Sequence, residues 1–144
     1  MSKRVLIVED EIFVALEIEQ AVEAASFDVV SIAADKAAAL AVADQCDIAL
    51  VDLNLRDGPT GTIIGTTLAQ SYGVRVIYVT ANPAQIGGAS SSALGVVVKP
   101  FREASIIAAL RLAATDNGDP MSADISGFTP FPPPGSSSGM GSSA

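Results

Sequence analysis

The sequence of 144 residues contains no histidine and one cysteine. Without histidine the chain cannot use Ser-His-Asp or Cys-His catalysis, imidazole metal ligands or a phosphohistidine of its own. Cys46 cannot form a disulfide within the chain. Cations are also scarce: 8 Lys and Arg stand against 16 Asp and Glu, a formal net charge of −8. A nucleic-acid surface needs clustered cations, so no nucleic-acid partner is expected, and function must rest on carboxylates, hydroxyls and lysine.

Long apolar runs are absent as well. The apolar run at residues 5–8 is too short for a signal peptide, and no run approaches the roughly 18 to 20 residues of a membrane span. We therefore expect a cytoplasmic protein with no membrane partner.

The composition changes near Thr115. Five of the eight prolines and five of the twelve glycines follow it, together with a run of serines. Such a segment has too little apolar surface to offset its ordering entropy. We predict a folded domain over residues 1–115 and a disordered Pro/Gly/Ser-rich tail over residues 116–144, whose end also resembles a cloning linker. Phe128 and Phe131 could dock on the domain or on a partner, but a mobile tail is the favoured interpretation.

Segments with two different patterns of apolar residues alternate along the domain. Short β-branched runs, typical of parallel strands buried on both faces, cover residues 5–8, 29–33, 48–51, 76–79 and 96–98. Ala-, Leu- and Glu-rich helical segments cover residues 12–25, 35–43, 63–72 and 103–114, and the Gly- and Ser-rich segment 82–95 is a weaker fourth helix. The alternation predicts a doubly wound α/β sheet with about five flanking helices. No output domain is expected after it.

Individual residues mark the helices. In the first helix we expect Phe13, Leu16 and Ile18 to belong to the buried apolar stripe, with the glutamates facing water. Asp35 stands where the N-cap of the second helix belongs, and Gly73 where the third helix stops.

Polar residues follow the apolar runs at the carboxyl ends of the strands, where doubly wound sheets bind ligands. They are Glu9, Asp10 and Glu11 after the first run, Asp52 and Asn54 after the third, Thr80, Ala81 and Asn82 after the fourth, and Lys99 and Pro100 after the fifth. Crowded acids need a counterion, and Mg²⁺ fits because it binds through a few carboxylates and keeps waters. With Lys99 and the Thr80 hydroxyl, such a site can hold a phosphoryl group.

The segments VLIVEDE, VDLNL, YVTAN and VVKPF, in this order and at this spacing, resemble the receiver domain of two-component response regulators (CheY-like) over residues 3 to about 114. The resemblance implies a flavodoxin-like fold with a five-stranded parallel sheet in the order 2-1-3-4-5. It also implies that Asp52 accepts a phosphoryl group from a sensor histidine kinase, with a phosphotransfer protein as a further candidate partner. The phosphotransfer and the later dephosphorylation would be self-catalysed, so the chain is not expected to be an enzyme acting on a separate substrate.

The resemblance assigns the metal ligands. Asp10 would bind Mg²⁺ directly and Glu9 through water. The Asp52 side chain and the Asn54 backbone carbonyl would complete the protein ligands.

The remaining roles concern the ends of the fourth and fifth strands. Thr80 matches the switch hydroxyl that moves to the phosphoryl oxygen, and Lys99 matches the lysine that pairs with it. The Lys99–Pro100 peptide bond would be cis. Ala81 and Asn82, like Asn54, match positions that tune dephosphorylation.

Some features depart from the common receiver pattern. Residues 96–98 are all valine where receivers usually carry an aromatic switch residue, so switching of that kind is not expected. Tyr78 is interpreted as packed under a helix.

The loop over residues 53–61, with YVTANP and VVKPFRE, resembles receivers of the alphaproteobacterial general stress response, both fused to sigma-like domains and free-standing. The protein would act by protein contact or as a phosphate sink, and the face of the fourth helix, fifth strand and fifth helix is a candidate homodimer surface.

Two other functions compete with this one. Haloacid-dehalogenase-like phosphatases also use a strand-end aspartate, Mg²⁺, a hydroxyl and a lysine, but they need a second aspartate where this chain has Asn54. A receiver-like scaffold that is not phosphorylated would be supported by the loss of Asp52 or Lys99, and both are present.

Overall fold

A central sheet with helices on both faces forms the folded part of the chain. The computed structural model describes residues 3–115 and 127–132. The strands are β1 (Arg4–Val8), β2 (Asp28–Ala33), β3 (Ile48–Val51), β4 (Arg75–Thr80), β5 (Gly95–Val98) and β6 (Phe128–Pro130). The α-helices are α1 (Ile12–Ala24), α2 (Lys36–Ala41), α3 (Gly61–Tyr72) and α4 (Glu103–Ala114), and 3-10 helices cover Ala43–Gln45 and Pro83–Ser92. Within these ranges no helix is both long and apolar enough to cross a membrane.

The sheet has the order β2-β1-β3-β4-β5-β6. Strands β1 to β5 pair in parallel, which confirms the predicted α/β fold and the order 2-1-3-4-5. Val8 lies opposite Val51, and Val51 lies opposite Tyr78. The carboxyl ends of neighbouring strands therefore reach the same edge of the sheet, and the residues that follow them are brought together there.

Two hydrophobic clusters fill the spaces between the sheet and the helices, because successive strand residues point to opposite faces. Val5 and Ile7 of β1 pack with α1 and α4. Leu6 and Val8 pack with α2 and α3. The continuous apolar runs of β1 and β3 are buried on both sides, as is typical of parallel strands.

The helix boundaries follow local capping chemistry. The Asp35 carboxylate accepts a hydrogen bond from the Ala38 N–H at 2.9 Å and caps α2, as predicted. Gly73 ends α3 in the left-handed conformation (φ 66°), which glycine adopts without steric cost. The predicted fourth helix is a 3-10 helix, Pro83–Ser92. Non-helical dihedrals at Gly87 (φ 53°, ψ −133°) interrupt it.

The buried face of α1 differs from the predicted one. Ala15, Ile18 and Val22 enter the core. Phe13 is 80% exposed and Leu16 is exposed as well, so their prediction as core residues is wrong. Positions 15, 18 and 22 recur at three and four residues and define one face of the helix, and positions 13 and 16 point away from it. α1 therefore presents apolar side chains to solvent.

The prediction of a disordered tail over residues 116–144 is wrong for one short segment. Residues Phe128–Pro130 form β6, which pairs antiparallel with β5 and adds a sixth strand to the predicted five. Phe128 is 2% exposed and belongs to the cluster of α1 and α4, while Phe131 packs against the opposite cluster. The two aromatic rings supply the apolar burial that holds this segment on the sheet. The tail over residues 116–126 and 133–144 lies outside the described residues.

Tyr78 packs under α3, as predicted. Its side chain is fully buried, and a Cβ on Gly65 of α3 would overlap its ring. Burial raises the pKa of the Tyr78 phenol to about 12, because it disfavours the charged phenolate. Tyr78 is therefore a neutral core side chain near neutral pH.

Replacing Phe128 tests whether β6 is part of the folded domain. Phe128→Ala removes a buried ring, and we expect the free energy of unfolding to fall by about 3 kcal/mol. The control is Thr129→Ala in the same strand, where the residue is exposed and the expected change is below about 0.5 kcal/mol. Denaturant unfolding followed by circular dichroism measures both. Equal stabilities of the two variants would contradict the docking of β6.

Candidate functional site

Lys99 joins the two acidic residues that follow β1 and β3. Its Nζ donates hydrogen bonds to Glu9 Oε1 at 2.9 Å and to Asp52 Oδ2 at 3.0 Å. Both carboxylates are buried, so solvent and salt screen these ion pairs little. Lys99 is the first residue after β5, which ends at Val98, so it lies at the carboxyl end of that strand.

Burial and hydrogen bonding shift the pKa values of Glu9 and Lys99. Burial raises the pKa of Glu9 and outweighs the hydrogen bond from Lys99, which lowers it. Burial alone would lower the pKa of Lys99, but the hydrogen bonds to Glu9 and Asp52 raise it above its ordinary value. Two carboxylates share one ammonium, so the pocket favours a further cation.

Asp10 adds a third carboxylate beside this trio. One oxygen from each of Glu9, Asp10 and Asp52 lies within 4.8 Å of the others. The backbone orients two of these groups, since the Leu53 N–H donates to Asp52 Oδ1 at 2.7 Å and the Glu11 N–H donates to Glu9 Oε2 at 3.1 Å. Clustered carboxylate oxygens, one of them on the exposed Asp10, fit a hard divalent cation such as Mg²⁺ that keeps several waters.

Thr80 lies at the end of β4, beside Lys99. It is buried, and its hydroxyl accepts a hydrogen bond from the Asn82 N–H at 3.0 Å. The Lys99 N–H donates to the Thr80 carbonyl at 2.9 Å. The Lys99–Pro100 peptide bond is cis, and Ala81 and Asn82 are exposed. The structure thus brings the residues that follow β4 and β5 to the edge where Glu9 and Asp52 lie.

Asn54 lies two residues beyond Asp52 and is exposed. Its Nδ2 donates to Gln85 Oε1 at 2.9 Å across 31 positions of sequence. This hydrogen bond connects the loop after β3 to the 3-10 helix after β4. Two polar residues on separate loops carry no shared sequence signal, so this contact is visible only in the structure.

The loop after β3 is fastened to α2. Arg56 Nη2 lies 3.2 Å from Asp35 Oδ2. Asp57 accepts hydrogen bonds from the Thr60 hydroxyl at 2.7 Å and from the Lys36 N–H at 3.0 Å, and these bonds, that from Thr60 most strongly, lower its pKa. Arg56 and Asp57 therefore shape the loop.

Gly61, the first residue of α3, packs against the backbone of Asp52, and sequence reasoning missed this role. A Cβ on Gly61 would overlap the Asp52 carbonyl and lie 2.5 Å from Leu53 Cα. The Gly61 N–H also donates to the Leu53 carbonyl at 3.0 Å. A glycine near the start of a helix is common, so the sequence pattern alone does not identify the contact.

Comparison with known proteins identifies the class that this fold and site define. Residues 5–111 match the family model of the response regulator receiver domain. The chain therefore belongs to the response regulator receiver family, as its four strand-end motifs predicted.

The relatives of the chain include PhyR proteins. It is 29% identical over 117 residues to the phyllosphere-induced regulator PhyR of Methylorubrum extorquens, a match that covers 78% of this chain and 44% of that protein. The solution structure of the PhyR receiver domain of Erythrobacter litoralis superposes with a TM-score of 0.73 at 27% identity, covering 83% of this chain and 95% of that one. The anti-anti-sigma factor PhyR of Bartonella quintana superposes with a TM-score of 0.67 at 29% identity, covering 78% and 47%. The chain thus spans less than half the length of the curated relative it matches.

Gly61→Ala tests whether the close backbone contact positions Asp52. The added methyl group must displace the Asp52 and Leu53 backbone, so we expect the affinity for Mg²⁺ to fall by about tenfold. The matched control is Gly88→Ala, because nothing lies within 4 Å of a Cβ at that position. An NMR titration with Mg²⁺ measures both variants. An unchanged affinity in folded Gly61→Ala would show that the contact does not position the site.

Proposed function

We propose that this protein is a response regulator that signals by phosphorylation of Asp52 from a sensor histidine kinase, with Mg²⁺ as cofactor. The observation that carries the proposal is the buried Asp52 carboxylate, hydrogen-bonded to the Lys99 ammonium with Glu9 and Asp10 beside it. A lysine and a cation site next to one carboxylate suit a phosphoryl group, whose charge spreads over its oxygens during transfer. Membership of the receiver family supports the same assignment.

In the proposed reaction, a carboxylate oxygen of Asp52 bonds to phosphorus while the bond to the donor imidazole nitrogen breaks. The imidazole leaves with that electron pair. Lys99 neutralises charge on the transferring oxygens and holds the Asp52 carboxylate in place. A bound Mg²⁺, held by Asp10, Asp52, the Asn54 carbonyl and, through water, Glu9, would supply further positive charge. The chain's own contribution is positioning, because the transition state of phosphoryl transfer is loose.

Thr80 and its exposed neighbours are proposed to act after the transfer. The Thr80 hydroxyl accepts a hydrogen bond from the Asn82 N–H and would turn to donate to a phosphoryl oxygen. The aspartyl phosphate is an acyl phosphate and is labile to water. Asn54, Ala81 and Asn82 are exposed, so they would tune the attack of water and thereby the duration of the signal.

The solvent side of α1 supports a macromolecular phosphodonor. Ile12, Phe13 and Leu16 are exposed on the first turns of α1. The same helix lines an open cleft of about 290 Å³ through Val14 and Glu17, together with Ala81, Lys99, Pro100 and Phe101. Apolar surface next to a polar site is typical of protein interfaces. We propose that the kinase or a phosphotransfer protein covers this side while its histidine reaches Asp52.

The alternatives have less support. A haloacid-dehalogenase-like phosphatase needs a carboxylic acid two residues after its nucleophile, and Asn54 offers an amide that already donates to Gln85. A scaffold without phosphorylation would have no need of Lys99 at 3.0 Å from Asp52. We therefore propose the receiver role in the cytoplasm, exerted through protein contact or by withdrawing phosphoryl groups from a relay.

Asp52→Asn tests the phosphoacceptor. It keeps the shape of the side chain but removes the nucleophile, so we expect no label from acetyl phosphate or a phosphorylated kinase. We also expect loss of the Mg²⁺-dependent thermal shift with beryllofluoride, which mimics an aspartyl phosphate. Asp44→Asn in the 3-10 helix Ala43–Gln45 is the control, because this exposed acid lies outside the site. Labelling of Asp52→Asn at the level of the control would refute the assignment, and a folded wild type without any response would favour the scaffold.

Phe13→Ala tests the docking side. We expect transfer from a histidine kinase active on the wild type to slow by about tenfold, since aromatic anchors dominate interfaces. Labelling by acetyl phosphate, which needs no docking surface, should stay unchanged. The control is Tyr72→Ala, an exposed aromatic at the end of α3 remote from Gly61. An equal loss with both donors would mean that Phe13 acts on the pocket and not on docking.

A further inference from the structure

The edge of β5 is covered by a strand from the chain's own C-terminal part. β6 pairs with β5 in antiparallel fashion, and the ladder extends beyond β6 at both ends. The Val98 N–H donates to the Gly127 carbonyl at 3.1 Å, and the Phe131 N–H donates to the Leu94 carbonyl at 2.7 Å. Residues 127–132, which we call the strap, therefore occupy backbone groups that an open edge strand would expose.

The strap packs against both core clusters, one on each face of the sheet. Phe128 is buried among residues of α1 and α4, and Phe131 packs on the opposite side with the cluster of α2 and α3. Alternate residues of a strand point to opposite faces, so one short segment places a ring on each side of β5. The edge of β5 offers a matching apolar surface for each ring.

Gly95 and Gly127 allow the strap to lie unusually close to its neighbours, because neither residue has a Cβ atom. A Cβ on Gly95 would lie 2.5 Å from the Thr129 carbonyl oxygen and 2.8 Å from the Phe128 ring. A Cβ on Gly127 would lie 2.6 Å from Ser105 Oγ, and the φ of 96° at Gly127 suits glycine alone. Both the accepting strand and the strap are therefore shaped for this approach.

Pro130 lies in β6, which forms the outer edge of the sheet beside β5. Pro130 lies opposite Gly95. The N–H of the next residue, Phe131, points toward β5 and donates to the Leu94 carbonyl. Because successive backbone groups of an antiparallel strand alternate sides, the Pro130 nitrogen lies on the side away from β5. Proline has no N–H to offer a further strand. Pro130 thus disfavours the pairing of a further strand with β6 at this position.

We propose that the β5 edge is a strand-accepting site and that the strap of a second copy of this chain can fill it. Residues 116–126 separate Thr115 from the strap in the sequence, and a stretch of that length can extend about 35 Å. The strap makes the same contacts in its own chain and in a neighbour, so exchange between copies loses no interface energy. The β5 edge belongs to the face predicted for a homodimer, and a dimer there takes the form of strand exchange.

Two variants of the full chain separate the strand from its acceptor. Phe128→Ala/Phe131→Ala keeps the β5 edge but has a strap that cannot dock, whereas Gly95→Val keeps the strap and blocks the edge. Each variant alone should be monomeric. Hydrogen exchange at its Val98 amide should be at least about tenfold faster than in the wild type. On mixing, the strap of Gly95→Val should fill the free edge, giving a 1:1 heterodimer in native mass spectrometry and restored protection of Val98.

A peptide of residues 126–132 provides the second measurement. It should bind the Phe128→Ala/Phe131→Ala variant and restore Val98 protection, and the peptide with both phenylalanines replaced by alanine should not. If the variant does not fold alone, recovery of its circular dichroism with the peptide supports the site. Folded variants that neither form the heterodimer nor bind the peptide would overturn the proposal, as would an unfolded variant that the peptide does not rescue.

Discussion

Lys99 holds together two carboxylates that would otherwise repel each other. Glu9 and Asp52 follow neighbouring strands, β1 and β3, and are buried with little water to screen their charge. The cation comes from β5, which is separated from β3 by β4 in the sheet, so the lysine side chain reaches across the end of β4 to make both hydrogen bonds. The geometry of the site therefore depends on the order and register of strands that are far apart in sequence.

Much of this arrangement was predictable, because each buried strand ends at a polar residue. The apolar runs before Glu9, Asp52, Thr80 and Lys99 are short and continuous, and parallel strands in a doubly wound sheet share one ligand-binding edge. Strand positions and the residues gathered at the edge follow from these two facts. The strand order 2-1-3-4-5 was predicted from the resemblance to receiver domains. The Asp35 cap and the Gly73 stop were predictable for a similar reason, since both depend on local backbone chemistry.

The features that escaped prediction depend on tertiary contacts. The average composition of residues 116–144 predicts disorder. Phe128 and Phe131 nevertheless pack on the two core clusters, and the segment that holds them pairs with β5. α1 is apolar on more than one side, so periodicity could not say that Phe13 faces solvent while Ile18 is buried. At Gly61 the reason for glycine is a neighbouring backbone, and no residue near it in sequence reveals that neighbour.

Strand β5 links the pocket of Glu9, Asp52 and Lys99 to the strap. Its last amide, at Val98, donates outward to Gly127, and the next amide, at Lys99, donates inward to the carbonyl of Thr80. The backbone before the lysine is thus held from both sides, by the strap and by β4, which carries Thr80. A lysine that must meet two carboxylates near 3 Å tolerates little backbone displacement. The strand that fills the β5 edge, whether from the same chain or a second copy, is therefore part of the framework that positions Lys99.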